Sequence, residues 1–359
     1  MDLMKSSSRI PVVLLVLCWL LALTRADGGT LGQDDGGMRL PDGTRVEKVK
    51  FGRSEVKLSG TLLVPRAPAG KRVPAVLFIP GSDQGARGEI SIARAPQAAF
   101  RDLAATLAGT GIAALRYDSR CSGASDCSAA RTPNEYAEDA VDALAYLRRR
   151  SEVDPVRVVL IGHDEGATFA AGVAANAIAK EKLAGLIMIA GPGRSYGKIL
   201  RDQAQKRLAQ AGRSGAEIND YVSKFDRIAD RLSAGNIDLA SEKIDAKDPL
   251  FALLVRNRDY FFHAFINDPL QVIRGVEVPV LIVQGEKDAQ IGVRDAQYLA
   301  ETLKRQYHGD ATMQLLPEMD HWLRRPKAAG GFQEEERESD PMDPALIQLL
   351  TDWVKKVTR

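Results

Sequence analysis

The sequence VVLIGHDEGAT, residues 158–168, changes its pattern halfway along. Its first half is an apolar, β-branched run typical of a buried strand, and an alanine-rich pattern typical of a helix begins directly after it. Gly162 and Gly166 stand two residues before and two residues after Asp164. Glycines are needed where a Cβ would clash as the strand and helix backbones approach each other. The stretch therefore predicts a strand that turns sharply into a helix, with Asp164 on a strained turn.

Length and composition limit the classes of protein that fit. The chain has 359 residues, of which 45% are hydrophobic and 27% charged, and its formal net charge is +2. This predicts a globular α/β domain that is large enough to carry an insertion. The near-neutral charge balance gives no reason to expect nucleic acid as a partner. We expect a small-molecule substrate and no cofactor, and the sequence leaves the oligomeric state open.

The N-terminus has the pattern of a secretory signal. Lys5 and Arg9 form a positive region directly before an apolar run, Ile10 to Leu23, which is short for a membrane span. Thr24-Arg25-Ala26 then offers small residues for cleavage. We expect residues 1–26 to be a signal peptide, residues 27–43 a flexible leader, and the protein to be secreted or periplasmic without a stable membrane span. An uncleaved N-terminal anchor is the alternative.

Export would leave two cysteines, Cys121 and Cys127, in the mature chain. An even number of cysteines close in sequence, in an oxidising compartment, predicts a disulfide that closes a small loop. Two unpaired thiols are the alternative. A metal site is not expected, because no second cluster of cysteine or histidine accompanies them.

Strand-like and helix-like segments alternate along most of the chain. The segments read as strands are 46–51, 56–64, 75–79, 112–117, 158–161, 183–190, 278–284 and 312–316, and those read as helices are 95–107, 136–149, 293–303 and 344–357. This alternation predicts a mostly parallel sheet with helices on both faces, built from residues 44–192 and 276–359.

Residues 193–275 instead carry amphipathic helical patterns and the aromatic run Tyr260-Phe261-Phe262. We interpret them as a helical cap over a site at the strand ends. Surface helices unrelated to the substrate are the alternative.

Two later strand ends carry groups that suit acid–base chemistry. Asp288 follows the strand that ends in Gln284-Gly285, and His321 follows the last strand. The other three histidines, His163, His263 and His308, lie beside the sharp turn, in the cap segment and in a polar turn. Glu286 and Asp320 are the next candidates for the acid, and Asp295 is expected on a solvated helix.

Backbone N–H groups near Asp164 would stabilise a developing negative charge. We expect one such donor from Glu165 and a second from Ser82 or Asp83, since Gly81 lets the backbone approach closely. A simple β-turn is the alternative for Ser82.

Several further segments carry a family resemblance: Pro80-Gly81-Ser82, Leu115 to Arg120, Val153-Asp154-Pro155, Ala190 to Gly193 and Gly285 to Asp288. With these segments the chain resembles the α/β-hydrolase superfamily, and within it secreted bacterial esterases with a Gly-His-Ser-Glu-Gly nucleophile elbow. The resemblance implies an α/β-hydrolase fold with Asp164 at the nucleophile position, Asp288 as the acid and His321 as the base. Two residues depart from the pattern. Asp164 replaces the usual Ser, and Cys121 replaces a common Gly.

Three functions remain open at this point. The first is an esterase-type hydrolase that uses Asp164 as a nucleophile or as a base for water. The second is hydrolysis at an alkyl carbon, as in haloalkane dehalogenases and epoxide hydrolases, which also carry Asp at the elbow; Tyr196, Tyr221 and Tyr260 are candidate acids there, and Glu165 would disfavour a departing halide. The third is a non-catalytic binding protein. We expect Asp164, Asp288 and His321 to converge in one pocket, with His321 within hydrogen-bond reach of both carboxylates.

Overall fold

The structure is a computed structural model that describes residues 40, 42–52, 55–68, 70–82, 97–128, 131–176, 183–236, 247–306, 310–326 and 340–359. The expected signal peptide, residues 1–26, and nearly all of the expected leader lie outside the described residues, as does Asp83. None of the helices in these ranges is both long and apolar enough to cross a membrane.

Eight strands form one sheet: β1 Arg45–Phe51, β2 Leu58–Val64, β3 Val73–Ile79, β4 Ala113–Tyr117, β5 Val153–His163, β6 Leu183–Ile189, β7 Val280–Gly285 and β8 Ala311–Leu316. Their order across the sheet is β1-β2-β4-β3-β5-β6-β7-β8. The strand β2 pairs antiparallel with β1 and β4, and all other pairs are parallel. The predicted mostly parallel sheet is confirmed.

Helices cover both faces of this sheet, as its apolar central strands require. Five helices pack directly against the sheet: α1 Gln97–Gly109, α2 Pro133–Arg148, α3 Glu165–Ala175, α9 Val293–Arg305 and α10 Pro344–Val357. The buried side chains of α1 and α10 join one hydrophobic cluster, and those of α2, α3 and α9 join the cluster on the other face. The strands β3, β5, β6 and β7 lie between the two clusters, and this explains why their sequences are apolar without alternation.

The segment between β6 and β7 is helical, as expected. Its described helices are α4 Tyr196–Gln210, α5 Gly215–Ser233, α6 Pro249–Arg256, α7 Arg258–Ile266 and α8 Pro269–Ile273. Within the insertion, α5 packs on α4 and α7. Towards the core, α7 contacts α2 and α8 contacts α3. The insertion is therefore attached to the face of the sheet that carries the helix following Asp164.

The two glycines of the turn after β5 are required by the packing of the backbone. A Cβ on Gly162 would lie 2.3 Å from the carbonyl oxygen of Gly166, and a Cβ on Gly166 would lie 2.3 Å from that of Ile79. Both distances are far inside van der Waals contact, and backbone atoms cannot move aside cheaply. The predicted reason for these glycines is confirmed.

The loop after β4 is closed by the Cys121–Cys127 disulfide, so the predicted pairing is present. Cys121 adopts a φ of +64°, a conformation that favours glycine, which gives a physical reason for the Gly that the resemblance implied at this position. The N–H of Asp126 donates to Lys57 O at 2.8 Å, which ties the loop to the residues before β2. The loop follows β4 and so lies at its carboxyl end. The start of β2 lies at the same end, because β2 runs antiparallel to β4.

Replacing Gly166 tests the turn. We expect Gly166→Ala to lower the free energy of unfolding by about 2–3 kcal/mol, because the added methyl overpacks against the Ile79 carbonyl. Gly172→Ala, in the same helix, is the matched control. Its Cβ would meet Val272 at 3.9 Å, so this variant should gain up to about 1 kcal/mol from helix propensity. Urea denaturation measures both, and equal stabilities for the two variants would contradict the packing argument.

Candidate active site

Asp164 occupies the turn between β5 and α3 in a strained conformation. Its φ is +51° and its ψ is −126°, a region that costs a non-glycine residue about 1–3 kcal/mol. Its N–H donates to Ile189 O at 3.0 Å, and its carbonyl oxygen accepts from Ala167 N–H at 2.9 Å. These bonds hold the side chain at the carboxyl edge of the sheet, buried and next to the N-terminus of α3.

Asp288 and His321 form a fixed pair beside Asp164. His321 Nδ1 lies 2.9 Å from Asp288 Oδ2. The other oxygen, Asp288 Oδ1, accepts from the N–H groups of Gln290 at 2.8 Å and Ile291 at 2.9 Å. Gln284 Nε2 donates to Oδ2 at 3.2 Å. Asp288 is therefore a fully bonded carboxylate that orients the His321 ring.

The expected direct hydrogen bond between His321 and Asp164 is not formed. His321 Nε2 and Asp164 Oδ2 lie 3.8 Å apart, within ion-pair range and beyond hydrogen-bond length. The two groups sit on separate turns, each fixed by its own backbone hydrogen bonds, so the short Asp side chain leaves this gap. Asp164 Oδ1 has no hydrogen-bond partner among the described residues.

The three groups control one another's protonation. Burial raises the pKa of Asp164 to about 6, although the charge of His321 opposes this shift. Burial lowers the pKa of His321, but the carboxylates of Asp288 and Asp164 outweigh it and raise the pKa to about 9. Burial likewise raises the pKa of Asp288, and here the His321 charge and the hydrogen bonds prevail and lower it. At neutral pH the site is therefore a carboxylate, an imidazolium and a second carboxylate.

His163, the residue before Asp164, supports the loop that carries His321. Its Nε2 lies 2.8 Å from His321 O, and because a carbonyl only accepts, this nitrogen carries the proton. The two imidazole rings lie 4.6 Å apart between centroids. Burial, and the neighbouring His321 charge, lower the pKa of His163 to about 3, so this ring is neutral. His163 thus links the elbow to the His321 loop without adding charge.

Two of the expected oxyanion donors, the N–H groups of Glu165 and Ser82, have carboxylate partners in the structure. The backbone N–H of Glu165 interacts with the Asp164 carboxylate and lowers its pKa. The backbone N–H of Ser82 is occupied, since it donates to Glu165 Oε2 at 3.0 Å. The Ser82 N–H thus has a partner within the protein, and Asp83, the alternative donor, lies outside the described residues. The sequence could not show this bond, because it joins side chain and backbone across 83 residues.

The other candidate acids have structural positions. Asp320 Oδ1 accepts from the N–H groups of Trp322 and Arg324, both at 2.9 Å, and so shapes the turn around His321. Glu286 is exposed. Asp295 is fully buried and not solvated as expected. Its carboxylate binds Arg194 in bidentate fashion, at 3.0 and 2.8 Å, which ties the start of the insertion to α9.

The insertion meets the elbow helix at a narrow pocket. The pocket is lined by residues from α3 and from the insertion, among them Glu165, Thr168, Phe169, Tyr196 and Ala264. Burial, with the charges of Asp164 and Glu165, raises the pKa of Tyr196 well above its ordinary value, so it is a neutral donor. The insertion therefore approaches the side of the site that carries Asp164, as a cap would.

The tyrosines proposed as acids differ in their surroundings. The Tyr221 hydroxyl donates to Asp248 Oδ1 at 3.0 Å and is thereby engaged inside the insertion. The Tyr260 hydroxyl is buried and has no hydrogen-bond partner in the described part of the chain. Its ring packs edge-on against Tyr136, at 6.2 Å between centroids.

No group of three or more metal-ligating side chains occurs among the described residues. The charged groups around Asp164 are buried carboxylates and the His321 imidazolium.

The chain belongs to the alpha/beta hydrolase family, whose model matches residues 76–329. The esterase EstD of Thermotoga maritima is 27% identical over 241 residues, which are 67% of this chain and 52% of the relative. The chain thus spans about half the length of that curated relative. This similarity makes the chain esterase-like.

Two solved structures share the fold. The alpha/beta hydrolase GrgF from Penicillium sp. sh18 is 19% identical with a TM-score of 0.53, and the match covers 88% of this chain and 99% of GrgF. Est1E from Butyrivibrio proteoclasticus, solved with ferulic acid bound, is 17% identical with a TM-score of 0.52, and the match covers 86% and 96% of the two chains. At these identities the comparison shows the fold alone, and it confirms the predicted α/β-hydrolase fold.

The pKa of His321 tests the charge pattern of the site. We expect nitrogen-15 NMR of the histidine rings to show His321 titrating near pH 9. Asp288→Asn should lower this pKa more than Asp164→Asn, because Asp288 is the carboxylate hydrogen-bonded to the ring. Glu286→Gln, an exposed neighbour, is the control without effect. A His321 pKa at or below about 6.5 in the native protein would contradict the pattern.

Proposed function

We propose that this chain hydrolyses small carboxylic esters, with Asp164 as the general base that activates water. One observation carries the proposal: a buried carboxylate with a pKa of about 6 has an oxygen, Oδ1, without a partner among the described residues. A general base works best when its pKa lies near the operating pH. The similarity to an esterase supports the substrate class.

Charge favours this role over direct attack by Asp164 on the acyl carbon. Direct attack would join the Asp164 carboxylate to the acyl carbon as a mixed anhydride. In that anhydride the Asp164 carboxylate is itself a good leaving group. As a base, Asp164 takes a proton from water and becomes neutral while negative charge develops on the substrate oxygen. The repulsion between the two charges then falls as the transition state forms.

His321 supplies the positive charge in this scheme. Asp288 keeps the ring protonated, and Nε2 lies 3.8 Å from Asp164 Oδ2. The Nε2 proton is then available to the departing alkoxide as Asp164 activates the water. Asp288 itself stays bonded to the ring and to the N–H groups of Gln290 and Ile291, so it orients the imidazole.

Ester turnover and its pH dependence test the proposal. We expect the purified protein to hydrolyse short nitrophenyl esters with a bell-shaped profile of kcat/KM. Activity should rise as Asp164 ionises near pH 6 and fall as His321 loses its proton near pH 9. These limbs belong to the coupled pair of groups. Asp164→Asn should lower kcat by about 100-fold or more.

Glu286→Gln is the matched control, because it removes an exposed carboxylate from the loop that carries Asp288; its rate should equal that of the native protein. A rate that rises steadily through the His321 pKa would indicate a neutral histidine base and would contradict the proposed roles.

Hydrolysis at an alkyl carbon is a second candidate. It is favoured by the Tyr260 hydroxyl in the insertion, which has no hydrogen-bond partner among the described residues and would serve as proton donor to an opening epoxide. Here Asp164 would attack carbon, and the resulting ester would carry no charge. Loss of that charge would lower the pKa of His321 and free it to activate water, because the Asp164 charge helps to hold the ring protonated. The buried Glu165 carboxylate disfavours a departing halide at this place.

One panel separates these functions. Esters, epoxides and haloalkanes are offered to the same folded sample, with Asp164→Asn beside it. Turnover of epoxides alone would replace the ester proposal with the second candidate. No turnover of any class would contradict both and leave the non-catalytic binding protein.

A further inference from the structure

We propose that the side chain of Glu165 acts as a built-in occupant of the oxyanion site: its carboxylate holds the Ser82 N–H and keeps this donor closed to an acyl oxygen. The role of Glu165 in the native reaction rests on the proposed hydrolase function, which this inference deepens. It assigns Glu165 a role that the sequence pattern did not indicate, since only its backbone N–H was expected to act.

The contact between Glu165 and Ser82 is buried and direct. Glu165 Oε2 accepts from Ser82 N–H at 3.0 Å, and both residues are at most 5% exposed. The preceding carbonyl, Gly81 O, accepts from Ser119 Oγ at 2.5 Å, which helps to fix the direction of the strand end. A hydrogen bond to an ionised acceptor is stronger than one between neutral groups. The Ser82 N–H is therefore held by a group that competes well with a substrate carbonyl.

The second expected donor, the Glu165 N–H, also has a carboxylate beside it. The Glu165 N–H interacts with the Asp164 carboxylate. Each of the two backbone groups expected to meet an oxyanion thus faces a carboxylate of the protein itself. Glu165 lies in the first turn of α3, where the helix N-terminus favours negative charge. The site already has the anions that its geometry favours, and a further oxyanion there would be repelled by both.

This arrangement explains how a chain with an esterase-like fold can carry Asp at the elbow. With the donors occupied, charge on the substrate is left to the His321 imidazolium, as the proposed function requires. It also predicts that restoring a serine at the elbow gives only part of the reactivity of a serine hydrolase, because the Ser82 donor stays covered.

A purely positional role for Glu165 is the competing explanation. In that case the carboxylate would only hold Ser82 in place, and any side chain that accepts from the N–H would serve equally well. Glutamine keeps an acceptor oxygen of nearly the same reach and removes the charge, whereas alanine removes the acceptor altogether. The two explanations therefore predict opposite orders of reactivity.

The test uses the Asp164→Ser background and a fluorophosphonate ester as the probe. Loss of the Asp164 charge lowers the pKa of His321, so the neutral ring becomes available as a base. The introduced serine oxygen then bonds to phosphorus, its proton passes to the neutral His321 ring, and the P–F bond breaks to release fluoride. We expect Asp164→Ser/Glu165→Ala to be labelled about tenfold faster or more than Asp164→Ser alone, since one oxyanion donor typically contributes at least this much. Asp164→Ser/Glu165→Gln should fall between them. Intact-mass spectrometry measures the rates, and Asp164→Ser/Glu286→Ala is the matched control.

The opposite order, with the alanine variant slowest and the glutamine variant equal to Asp164→Ser, would overturn the inference in favour of positioning. Labelling of none of the variants would overturn it as well, because Ser82 would then not serve as a donor. The outcome is independent of native ester turnover, since both the serine and the probe are introduced. A failed ester assay together with the expected labelling order would therefore reject the proposed function. It would still support the inference that the Glu165 carboxylate occupies the Ser82 N–H.

Proton NMR of the otherwise native protein gives a second measurement that needs no reaction. Glu165→Ala should move the Ser82 amide proton upfield, because its charge-assisted hydrogen bond is lost, and Glu165→Gln should move it less. An unchanged Ser82 amide in Glu165→Ala would also overturn the inference. Thermal unfolding followed by circular dichroism establishes that each variant is folded.

Discussion

The ion pair between the His321 ring and the Asp288 carboxylate is the interaction on which the rest of the site depends. It holds a charged imidazolium in a buried place, where burial alone would keep the ring neutral. The imidazolium charge in turn lowers the pKa of Asp164 and so favours its ionised form, although burial opposes ionisation. Removing Asp288 would therefore make the charged forms of both His321 and Asp164 less stable, because buried ions persist only when they are paired.

The fold makes this pairing possible by bringing the carboxyl ends of β5, β7 and β8 to one edge of the sheet. The parallel register between β5, β6, β7 and β8 fixes these ends relative to each other. The glycines around Asp164 let the elbow form, and the strain at Asp164 is offset by the packing of α3 against the sheet. The gap of 3.8 Å between Asp164 and His321 follows from two rigid turns, and it leaves Asp164 able to act on something other than the ring.

Much of this could be predicted from the sequence, because the fold rests on local patterns. The elbow, the order Asp164, Asp288, His321 and the helical insertion follow from apolar runs and from what comes after them. The Asp295–Arg194 pair and the Glu165–Ser82 bond could not be predicted, since both join residues far apart in sequence through side-chain directions that no periodicity records. Asp295 looked like part of a solvated helix face because its partner lies about 100 residues earlier in the chain.

A single-turnover reaction in water labelled with oxygen-18 tests the role of Asp164 most directly. With enzyme in excess over an ester, water activated by Asp164 delivers the label to the product acid and leaves the Asp164 carboxylate unlabelled. Mass spectrometry of the product and of the peptide that contains Asp164 measures both. The account predicts label in the acid from the first turnover. Label in the Asp164 side chain after that turnover, with an unlabelled first product, would contradict it and make Asp164 a nucleophile.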